Sequence, residues 1–453
     1  MKTIEEPSRS VPVVEEVDLC VVGGSCTGVF AAVAAARLGA RVALIENNGF
    51  FGGVATAALV SVWHTPLDTT FTRTVIAGLT AEVVERLRKR GGVNDVGPGA
   101  DRHYILNTPE LAIELDRLVR ESKVRPFLHA RFVAAATDGP RVTAAILEDK
   151  TGRRAIRARY FIDATGDGDL LARAGLPFTK RPDLQPPTTT AILQGMTEVQ
   201  KANPGAALTA ILFDPRHGKD IPQGFFWWAE VTGLPSAGMI AGTRVPGADC
   251  SDAVQLTAAE IEGRRQIAAF VEILRGCKGG QSVSLLALPA CIGIRETRHA
   301  SCLHTLTEEE VLTGVRFDDA IANGTYRVDV HHSDKPGLTF RYLDGTEVYA
   351  VAGRSREKGR WRAPLPAGQD PTFYQIPYRS LVPRGATNVL AAGRLVDADR
   401  GAYGAVRVMV NCNQTGEAAG TACRLALDAG LDVADVPTDL LRKTMAQAGS
   451  IVL

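Results

Sequence analysis

The residues best suited to acid–base chemistry lie in the sequence Asp-Val-His-His-Ser-Asp at 329–334. Histidine is the usual proton carrier in enzymes because it titrates near neutral pH. The pair follows a strand-like stretch at 326–330. Neighbouring side chains on a strand point to opposite faces, so only one of the two histidines can face a given cleft. The alternative is that these are ordinary surface histidines.

Two arginines in Gly-Ile-Arg-Glu-Thr-Arg at 293–298 are suited to binding an anionic group. A guanidinium group can donate two parallel hydrogen bonds to one carboxylate. Arg295 and Arg298 are therefore candidate anchors for a substrate carboxylate. The alternative is that each arginine pairs with Glu296 or with a backbone carbonyl.

Glycines near the start of the chain indicate a nucleotide site. Gly23, Gly24 and Gly28 lie between a short apolar run and an alanine-rich stretch. Glycines at such a strand-to-helix turn let the backbone approach a pyrophosphate, whose charge is met by N–H groups and the helix dipole. Glu46 ends the next apolar run, 18 residues beyond Gly28, where a carboxylate can bind both ribose hydroxyls. Ser25 breaks the strict glycine pattern, yet the whole arrangement favours a dinucleotide site over an ordinary glycine turn.

Alternating strands and helices must position these residues. The apolar patterns predict a strand at 18–22, a helix at 27–38 and a second strand at 42–45. Helical spacing of apolar residues returns at 74–90 and 108–122. This order is typical of a parallel sheet with helices packed against it.

The pattern then changes to strands. We predict three antiparallel strands at 127–136, 141–148 and 155–162, separated by turn residues. The last of them ends in Ala-Thr-Gly at 164–166, where the chain rejoins the main sheet. Near the C-terminus, a stretch rich in alanine and glycine predicts a tightly packed helix at 406–427.

Composition narrows the class of protein. The chain has 453 residues, 45% of them hydrophobic, and a formal net charge of +1, which fits a globular protein with two domains. Lysines and arginines are spread out, so neither a nucleic-acid footprint nor a membrane span is indicated. The eight cysteines form no C-x-x-C pair and no metal-ligand spacing, and the N-terminal stretch lacks the apolar segment of a signal peptide. We therefore expect a cytoplasmic protein without a bound metal.

Two groups of segments carry a resemblance to a known family. Residues 17–56 together with Asp-Ala-Thr-Gly-Asp-Gly-Asp at 163–169 resemble the flavoprotein superfamily that includes glutathione reductase and fumarate reductase. The segments 386–394, 407–409 and 416–420 narrow the resemblance to the bacterial FAD-dependent oxidoreductases. The resemblance covers nearly the whole chain and implies non-covalently bound FAD.

The resemblance implies an α/β fold. A Rossmann-like FAD-binding domain, with a parallel sheet and an antiparallel β insertion, is expected to comprise residues 14–180 and 385–447. A second, α+β substrate or cap domain is expected at 181–384. The implied FAD-binding residues are Gly23, Gly24, Ser25, Thr27, Gly28, Glu46, Asn47, Gly52, Gly53, Val54, Ala55, Thr56, Val133, Ala164, Thr165, Gly166, Gly393, Arg394, Arg407 and Val408.

The resemblance also orders the candidate functions. The family pattern has Asp-x-His at 329–331, so we predict His331 as the acid–base residue, with Arg295 and Arg298 as substrate or flavin anchors. The leading hypothesis is hydride transfer between a small polar organic substrate and flavin N5, with an unidentified electron donor or acceptor. The alternatives are a flavin-dependent isomerase or hydratase without net redox change, and a protein in which FAD is structural.

Overall fold

The structure is a computed structural model and describes residues 2–97, 102–204, 207–222 and 224–453. Its strands are β1 (Val13–Val22), β2 (Val42–Ile45), β3 (Val62–His64), β4 (Val93–Asp95), β5 (Arg102–Leu106), β6 (Arg125–Phe127), β7 (Arg131–Asp138), β8 (Arg141–Asp149), β9 (Gly152–Asp163), β10 (Phe178–Lys180), β11 (Thr190–Gln194), β12 (Trp227–Glu230), β13 (Gly238–Ala241), β14 (Ser284–Ala287), β15 (Arg298–Ala300), β16 (Ala320–Gly324), β17 (Val328–His331), β18 (Leu338–Arg341), β19 (Thr346–Ala350), β20 (Glu357–Arg360), β21 (Tyr374–Pro377) and β22 (Val389–Ala391). Its α-helices are α1 (Cys26–Arg37), α2 (Leu79–Lys89), α3 (Thr108–Glu121), α4 (Asp169–Arg173), α5 (Met196–Ala202), α6 (Ala207–Leu212), α7 (Ala253–Arg275), α8 (Glu308–Thr313), α9 (Arg400–Val406), α10 (Met409–Ala429) and α11 (Thr438–Gln447).

The main sheet has the strand order β6-β2-β1-β9-β8-β7, and β22 also pairs with β9. β1 pairs in parallel with β2 and β9, whereas β8 joins β9 and β7 in an antiparallel arrangement. The predicted α/β class, with an antiparallel β insertion in a parallel sheet, is therefore confirmed. The parallel strands are buried on both faces, which explains their nearly continuous runs of Val, Leu, Ile and Cys.

The C-terminal ends of four parallel strands meet at one edge of this sheet. Val22 of β1 is in register with Ile45 of β2 and with Asp163 of β9, which is also paired with Ala391 of β22. Residues that directly follow these strands are thereby brought side by side. This is the edge at which open α/β sheets bind ligands.

Helices α1 and α10 cover one face of the sheet and lie very close together. A Cβ atom at Gly416 would lie 2.2 Å from the carbonyl oxygen of Thr27, and one at Gly420 would lie 2.0 Å from that of Ala31. Any larger residue would push the helices apart. The glycines of α10 are therefore required by helix packing in addition to any role near a cofactor.

Three predicted elements are wrong in detail. The helix expected at 74–90 begins only at Leu79, after Gly78 with its φ of +65°. The strand expected at 127–136 is two strands, because the chain turns at His129, which has a φ of +52°, between β6 and β7. β6 then pairs in parallel with β2 at the edge of the sheet. The helix expected at 406–427 begins at Met409, because Arg407 and Val408 form a break between α9 and α10.

The remaining elements form smaller sheets. Four-stranded sheets have the orders β12-β13-β11-β14 and β17-β18-β19-β20, and α7 packs its buried residues against the first of them. Separate antiparallel strands together with helices make this part of the chain α+β, as predicted. The domain boundaries at 180/181 and 384/385 stay predictions. No α-helix within the described ranges is long and apolar enough to cross a membrane.

Candidate functional site

A cavity of about 420 Å³ opens at the edge where the parallel strands end. Its volume lies in the range of small-molecule and cofactor sites. Most of the predicted FAD-binding residues lie on its wall: Gly23, Ser25, Thr27, Glu46, Asn47, Gly52, Gly53, Val54, Ala164, Thr165, Gly166, Gly393, Arg394 and Arg407. The structure thus brings together residues from both ends of the chain.

Other predicted FAD-binding residues do not lie on this wall. Gly28 packs behind it, because a Cβ there would lie 1.8 Å from the carbonyl oxygen of Gly23. Thr56 donates its hydroxyl proton to the Phe51 carbonyl at 2.7 Å. The others are Gly24, Ala55, Val133 and Val408. Near Val133, the residues that line the wall are Ala130, Arg131 and Phe132.

Glu46 is buried at the end of β2 and faces the glycine turn. Its Oε2 accepts a hydrogen bond from the Gly24 N–H at 2.7 Å, and its Oε1 accepts hydrogen bonds from the Asn48 backbone and side-chain N–H groups at 2.7 and 2.8 Å. Burial raises the pKa of Glu46, and these hydrogen bonds oppose the rise. Oε1 therefore has both of its lone pairs engaged, and Oε2 keeps one for a ribose hydroxyl.

Two helices begin at the cavity. Ser25 caps α1, and Cys26 and Thr27 line the wall, whereas α10 contributes Met409 and Cys412 from its first turn. The α10 terminus has no side-chain cap, so its first N–H groups are left for another acceptor. The positive ends of both helix dipoles therefore favour negative charge in the cavity.

An ion pair closes one side of the cavity. Arg394 donates hydrogen bonds to Asp167 Oδ1 at 2.5 Å and to Thr297 Oγ1 at 3.0 Å. Burial opposes the charge of Arg394, but Asp167 and Tyr403 outweigh it and raise the pKa of the guanidinium. Gly166 has a φ of +77°, and a Cβ at this position would lie 2.8 Å from Arg394 Nε.

A buried polar cluster adjoins the cavity, and Arg407 belongs to both. We define the polar cluster as Arg244, Arg295, Tyr326, Asp329, His331 and Arg407. His331 Nε2 lies 3.3 Å from Asp329 Oδ1, and Arg407 Nη2 lies 3.3 Å from Asp329 Oδ2. Tyr326 donates its hydroxyl proton to Asp329 Oδ2 at 3.0 Å. Asp329 is thus the acceptor at the centre of the cluster.

Two of the arginines share one acceptor in this cluster. Arg244 Nη1 and Arg295 Nη1 donate to the same Thr188 hydroxyl, at 2.8 and 2.5 Å. Neither guanidinium is within ion-pair distance of any carboxylate in the described residues. Burial lowers the pKa of Arg244 to about 10. Burial, together with the charges of Arg244 and Arg407, lowers the pKa of Arg295.

Arg298 lies elsewhere. Its Nη1 donates to the Asp167 carbonyl at 2.7 Å and approaches Asp169 Oδ1 at 3.3 Å, while its Nη2 reaches the Ser251 carbonyl at 3.4 Å. It lies on β15 with no contact to the polar cluster among the described residues. Its contacts match the backbone-carbonyl alternative considered from the sequence.

The comparison with known families decides the class of protein. The sequence matches the family described as FAD dependent oxidoreductase over residues 18–445. The chain belongs to this family. FAD is therefore its cofactor, and the protein is an FAD-dependent enzyme. A search of curated proteins found no match.

Several solved structures are similar to this FAD-dependent oxidoreductase over most of their length. A geranylgeranyl bacteriochlorophyll reductase-like protein from Thermoplasma acidophilum has 11% identity and a TM-score of 0.47, covering 96% of this chain and 83% of its own. A myxobacterial chondrochloren halogenase has 13% identity and a TM-score of 0.47, with 95% and 79% covered. A p-nitrophenol 4-monooxygenase from Pseudomonas putida has 11% identity and a TM-score of 0.46, with 96% and 89% covered. At such low scores, these likenesses say nothing about the substrate.

The cavity fits the cofactor that the family requires. The pyrophosphate is expected at the α1 N-terminus, and Glu46 is placed to bind the ribose. Two buried polar atoms on the wall, Asn413 Oδ1 and Arg407 Nε, have no hydrogen-bond partner. Such atoms are the groups that a bound ligand satisfies. FAD supplies hydride chemistry when bound, and these residues are those that would hold it.

Sequence reasoning missed Arg244, Thr188 and Gln185. Arg244 follows β13 in a segment with no recognisable motif, and its neighbours in space are far away in the sequence. Gln185 accepts a hydrogen bond from the His331 backbone N–H at 3.4 Å, while its own Nε2 is buried without a partner. The proline-rich run at 181–187, in which Gln185 lies, predicts only a crossover between segments. No local signal in the sequence identifies these residues.

Proposed function

We propose that this FAD-dependent oxidoreductase exchanges a hydride between FAD and a small polar organic substrate, with His331 as the proton carrier and Arg295 as a substrate anchor. We further propose that FAD is bound non-covalently. Bound FAD accepts or donates the hydride, so the protein must bind the substrate, orient it and move a proton. The electron partner is left open, and Arg298 is left out of the anchor because its contacts are made with Asp167, Asp169 and Ser251.

The contact between Arg407 and Asp329 carries the proposal. Arg407 lines the FAD cavity, and its Nη2 lies 3.3 Å from Asp329 Oδ2. Asp329 in turn contacts His331 through its other oxygen. The acid–base pair is therefore joined to the cofactor cavity through one side chain, that of Arg407.

The protonation state of the pair defines the role of His331. Burial lowers the pKa of His331 to about 3, with a further lowering from Arg295 and Arg244 and an opposing effect of Asp329. Burial opposes the charge of Asp329, but His331, Arg407 and Arg327 outweigh it and hold its pKa well below the usual range. We assign the proton of neutral His331 to Nε2, which lies 3.3 Å from Asp329 Oδ1, and this leaves Nδ1 to accept a proton from the substrate.

A substrate with negative charge would strengthen this base. Arg295 and Arg244 lower the pKa of His331 by repulsion, and an anionic group bound to them would cancel part of that effect. The proton-accepting power of His331 would then rise when the substrate is in place. This coupling supports the assignment of Arg295 as the anchor.

A second layer of contacts positions Arg295 from behind. The Tyr403 hydroxyl donates to the Arg295 carbonyl at 2.7 Å, and the Tyr403 ring packs edge-on against His299 with ring centroids 4.3 Å apart. Glu296, the residue after Arg295, binds Arg181 and His299 at 2.5 and 2.9 Å. Burial opposes the charge of Glu296, but His299 and Arg181 outweigh it and lower its pKa to about 2. These are positioning residues.

The test begins with the purified protein. The absorption spectrum should show flavin bands that dithionite removes and air restores, and denaturation should release the flavin. Small alcohols and hydroxy acids are then screened anaerobically for bleaching of these bands, and the corresponding ketones and keto acids for reoxidation of the reduced protein. A covalently retained flavin would contradict non-covalent binding.

The decisive variant is His331→Asn, with His332→Asn as its matched control. His332 is adjacent on the chain, but its Nε2 is 2.8 Å from Thr339 Oγ1 on the neighbouring strand. We expect His331→Asn to slow flavin reduction by about 10²- to 10⁴-fold with unchanged flavin content, and His332→Asn to have little effect. Equal rates in wild type and His331→Asn would remove His331 from the mechanism. Substrate conversion without net flavin reduction would favour the isomerase or hydratase alternative.

A further inference from the structure

The polar cluster holds more positive than negative charge. The cluster has three arginines, Arg244, Arg295 and Arg407, and one carboxylate, that of Asp329, which of these three only Arg407 approaches within ion-pair distance. A buried charge without a partner is costly, and proteins normally pair it or supply a ligand. The cluster therefore lacks at least one negative group.

The arrangement of hydrogen bonds shows where that group is missing. Arg244 Nη1 and Arg295 Nη1 both use the Thr188 hydroxyl, and their other acceptors are the carbonyls of Thr243 and Pro186. The Nε and Nη2 atoms of Arg295 have no hydrogen-bond partner among the described residues, and the side chain keeps some accessible surface. One edge of this guanidinium thus has no protein acceptor among the described residues.

A further unpartnered donor belongs to Gln185. Gln185 Nε2 is buried without a partner, and its amide is fixed by the hydrogen bond from the His331 backbone. Unpartnered donors from two separate parts of the chain, Arg295 and Gln185, are therefore available to an acceptor, while Asp329 Oδ1 is left for His331.

We infer that Arg244, Arg295 and Gln185 form an oxyanion site for a carboxylate or phosphate group of the substrate, next to His331. This inference rests on the proposed function and names the substrate class. Arg244 and Arg295 do not line the FAD cavity, so the anion they bind is distinct from the FAD pyrophosphate. Thr188 acts as a positioning residue because its hydroxyl holds both guanidinium groups together.

An oxyanion site accounts for the burial of a second arginine, Arg244, that has no ion-pair partner among the described residues. Arg244 is 3% exposed, and Gln266 accepts from its backbone N–H at 2.9 Å and donates to its carbonyl at 2.7 Å. Packing alone would be served as well by an apolar side chain. A fixed arginine next to a second one is what recognition of an oxyanion requires.

The test is a binding measurement on the oxidised, FAD-loaded protein, without turnover. The protein is titrated with sodium malonate and with sodium phosphate, at an ionic strength held constant with sodium chloride. Binding is followed by calorimetry, by the visible flavin spectrum and by the thermal midpoint. We expect one of the two anions to bind at a single site and raise the midpoint above that in chloride. Malonate binding would identify a carboxylate substrate, and phosphate binding a phosphorylated one.

Variants locate the site. Arg244→Gln should weaken binding of that anion by about 10- to 100-fold, and Arg244→Lys should weaken it less because the charge remains. Arg265→Gln is the control, since Arg265 lies half-exposed on α7 and pairs with Glu262 and Asp220. If Arg244→Gln does not fold, the test rests on the wild-type protein, whose thermal midpoint in malonate or in phosphate is compared with its midpoint in chloride. Equal midpoints in all three salts, or unchanged anion affinity in a folded Arg244→Gln, would overturn the site.

Anion binding and flavin reduction measured in His331→Asn distinguish a failure of the oxyanion site from a failure of the proposed function. His331→Asn should still bind the anion, because the arginines remain. Anion binding that depends on Arg244, together with unchanged flavin reduction in His331→Asn, would support the oxyanion site and overturn the proton carrier. Absence of anion binding, together with slow flavin reduction in His331→Asn, would overturn the oxyanion site alone.

Discussion

The FAD cavity and the polar cluster share Arg407 but are built differently. The cavity wall is mostly backbone, glycine and small side chains at the ends of parallel strands and the beginnings of two helices. The cluster consists of long charged and polar side chains held by hydrogen bonds between distant segments. The cavity binds FAD, the cofactor that the whole family shares. The polar cluster is the region that we propose for recognition of this protein's own substrate.

The difference predicts different responses to mutation. A backbone-built wall fails when a side chain is added, because the neighbouring backbone atoms cannot move away. A cluster of charges fails when one partner is removed, because the others are left buried without compensation. Substitutions at the two sites should therefore separate loss of FAD from loss of substrate chemistry.

The largest effect is expected from Gly23→Ala. Gly23 has a φ of +100°, and a Cβ there would lie 2.4 Å from the Ala164 carbonyl oxygen. We expect a loss of stability of about 4 kcal/mol, from strain and overlap together, and purification without FAD. Gly39→Ala is the control, because Gly39 has a φ of +92° with no atom within 4 Å of the added Cβ. Flavin content and urea unfolding measure both variants, and a Gly23→Ala protein with full flavin content would contradict the prediction.

Asp329→Asn should destabilise the polar cluster and leave the FAD cavity loaded. Removal of the central carboxylate leaves Arg407 without its ion-pair partner and the cluster without its one negative charge, which should cost about 3 kcal/mol. Flavin reduction should slow as well, because His331 loses its partner. Asp334→Asn is the control, since Asp334 is 71% exposed in its side chain and lies 3.9 Å from His332. Urea unfolding together with flavin absorbance checks the prediction, which fails if the two variants are equally stable.

Glu417→Gln tests a buried acid that belongs to neither site. Glu417 lies on α10 and accepts hydrogen bonds from the Leu79 N–H at 3.1 Å and the Ser450 hydroxyl at 3.0 Å. Burial raises its pKa from 4.5 to about 7. Between these values the folded protein holds more protons than the unfolded chain, so this group's contribution to stability falls as the pH rises.

A comparison of wild type with Glu417→Gln at two pH values shows whether Glu417 makes the folded protein less stable as the pH rises. Wild type should lose up to about 3 kcal/mol relative to Glu417→Gln between about pH 5 and pH 8. Urea unfolding of both proteins at these two pH values measures the difference. A difference that does not change with pH would mean that Glu417 is charged in the folded protein at both values.

The smallest effect is expected from Glu46→Gln. The backbone N–H groups of Gly24 and Asn48 still have an amide oxygen to share, but one of them now faces an NH₂ group. We expect FAD to bind about tenfold more weakly, with unchanged anion binding at the polar cluster. Glu16→Gln, at an exposed position on β1, is the control. Unchanged FAD affinity would contradict the assignment of Glu46 to the ribose.

The sequence predicts the cavity better than the cluster, for a physical reason. Close approach of backbone to a phosphate demands glycine at fixed offsets from a strand, so residues such as Gly23 and Gly52 mark the cavity locally. Charge compensation demands only that partners meet in space. Arg244 and Gln185 therefore lie in stretches with no motif, and only the folded chain brings them to His331.

The same limit explains the errors in the elements. The sequence pattern predicts one strand where β6 and β7 form, because hydrophobic alternation does not reveal the turn at His129. The break at Arg407 was missed because small apolar residues continue on both sides of it. Arg298 was grouped with Arg295 by proximity in sequence, although β15 takes it towards Asp167 and Ser251.

The double pairing of β9 has a consequence for biosynthesis. Its last residues, Phe161–Asp163, pair with β22, which lies more than two hundred residues later in the chain. Until the ribosome has made residues 389–391, this edge of the sheet is open, and α1 lacks the α10 helix that covers it. A nascent chain halted before this point cannot complete the nucleotide pocket. The complete wall of this pocket therefore forms only after residues 389–413 have been synthesised.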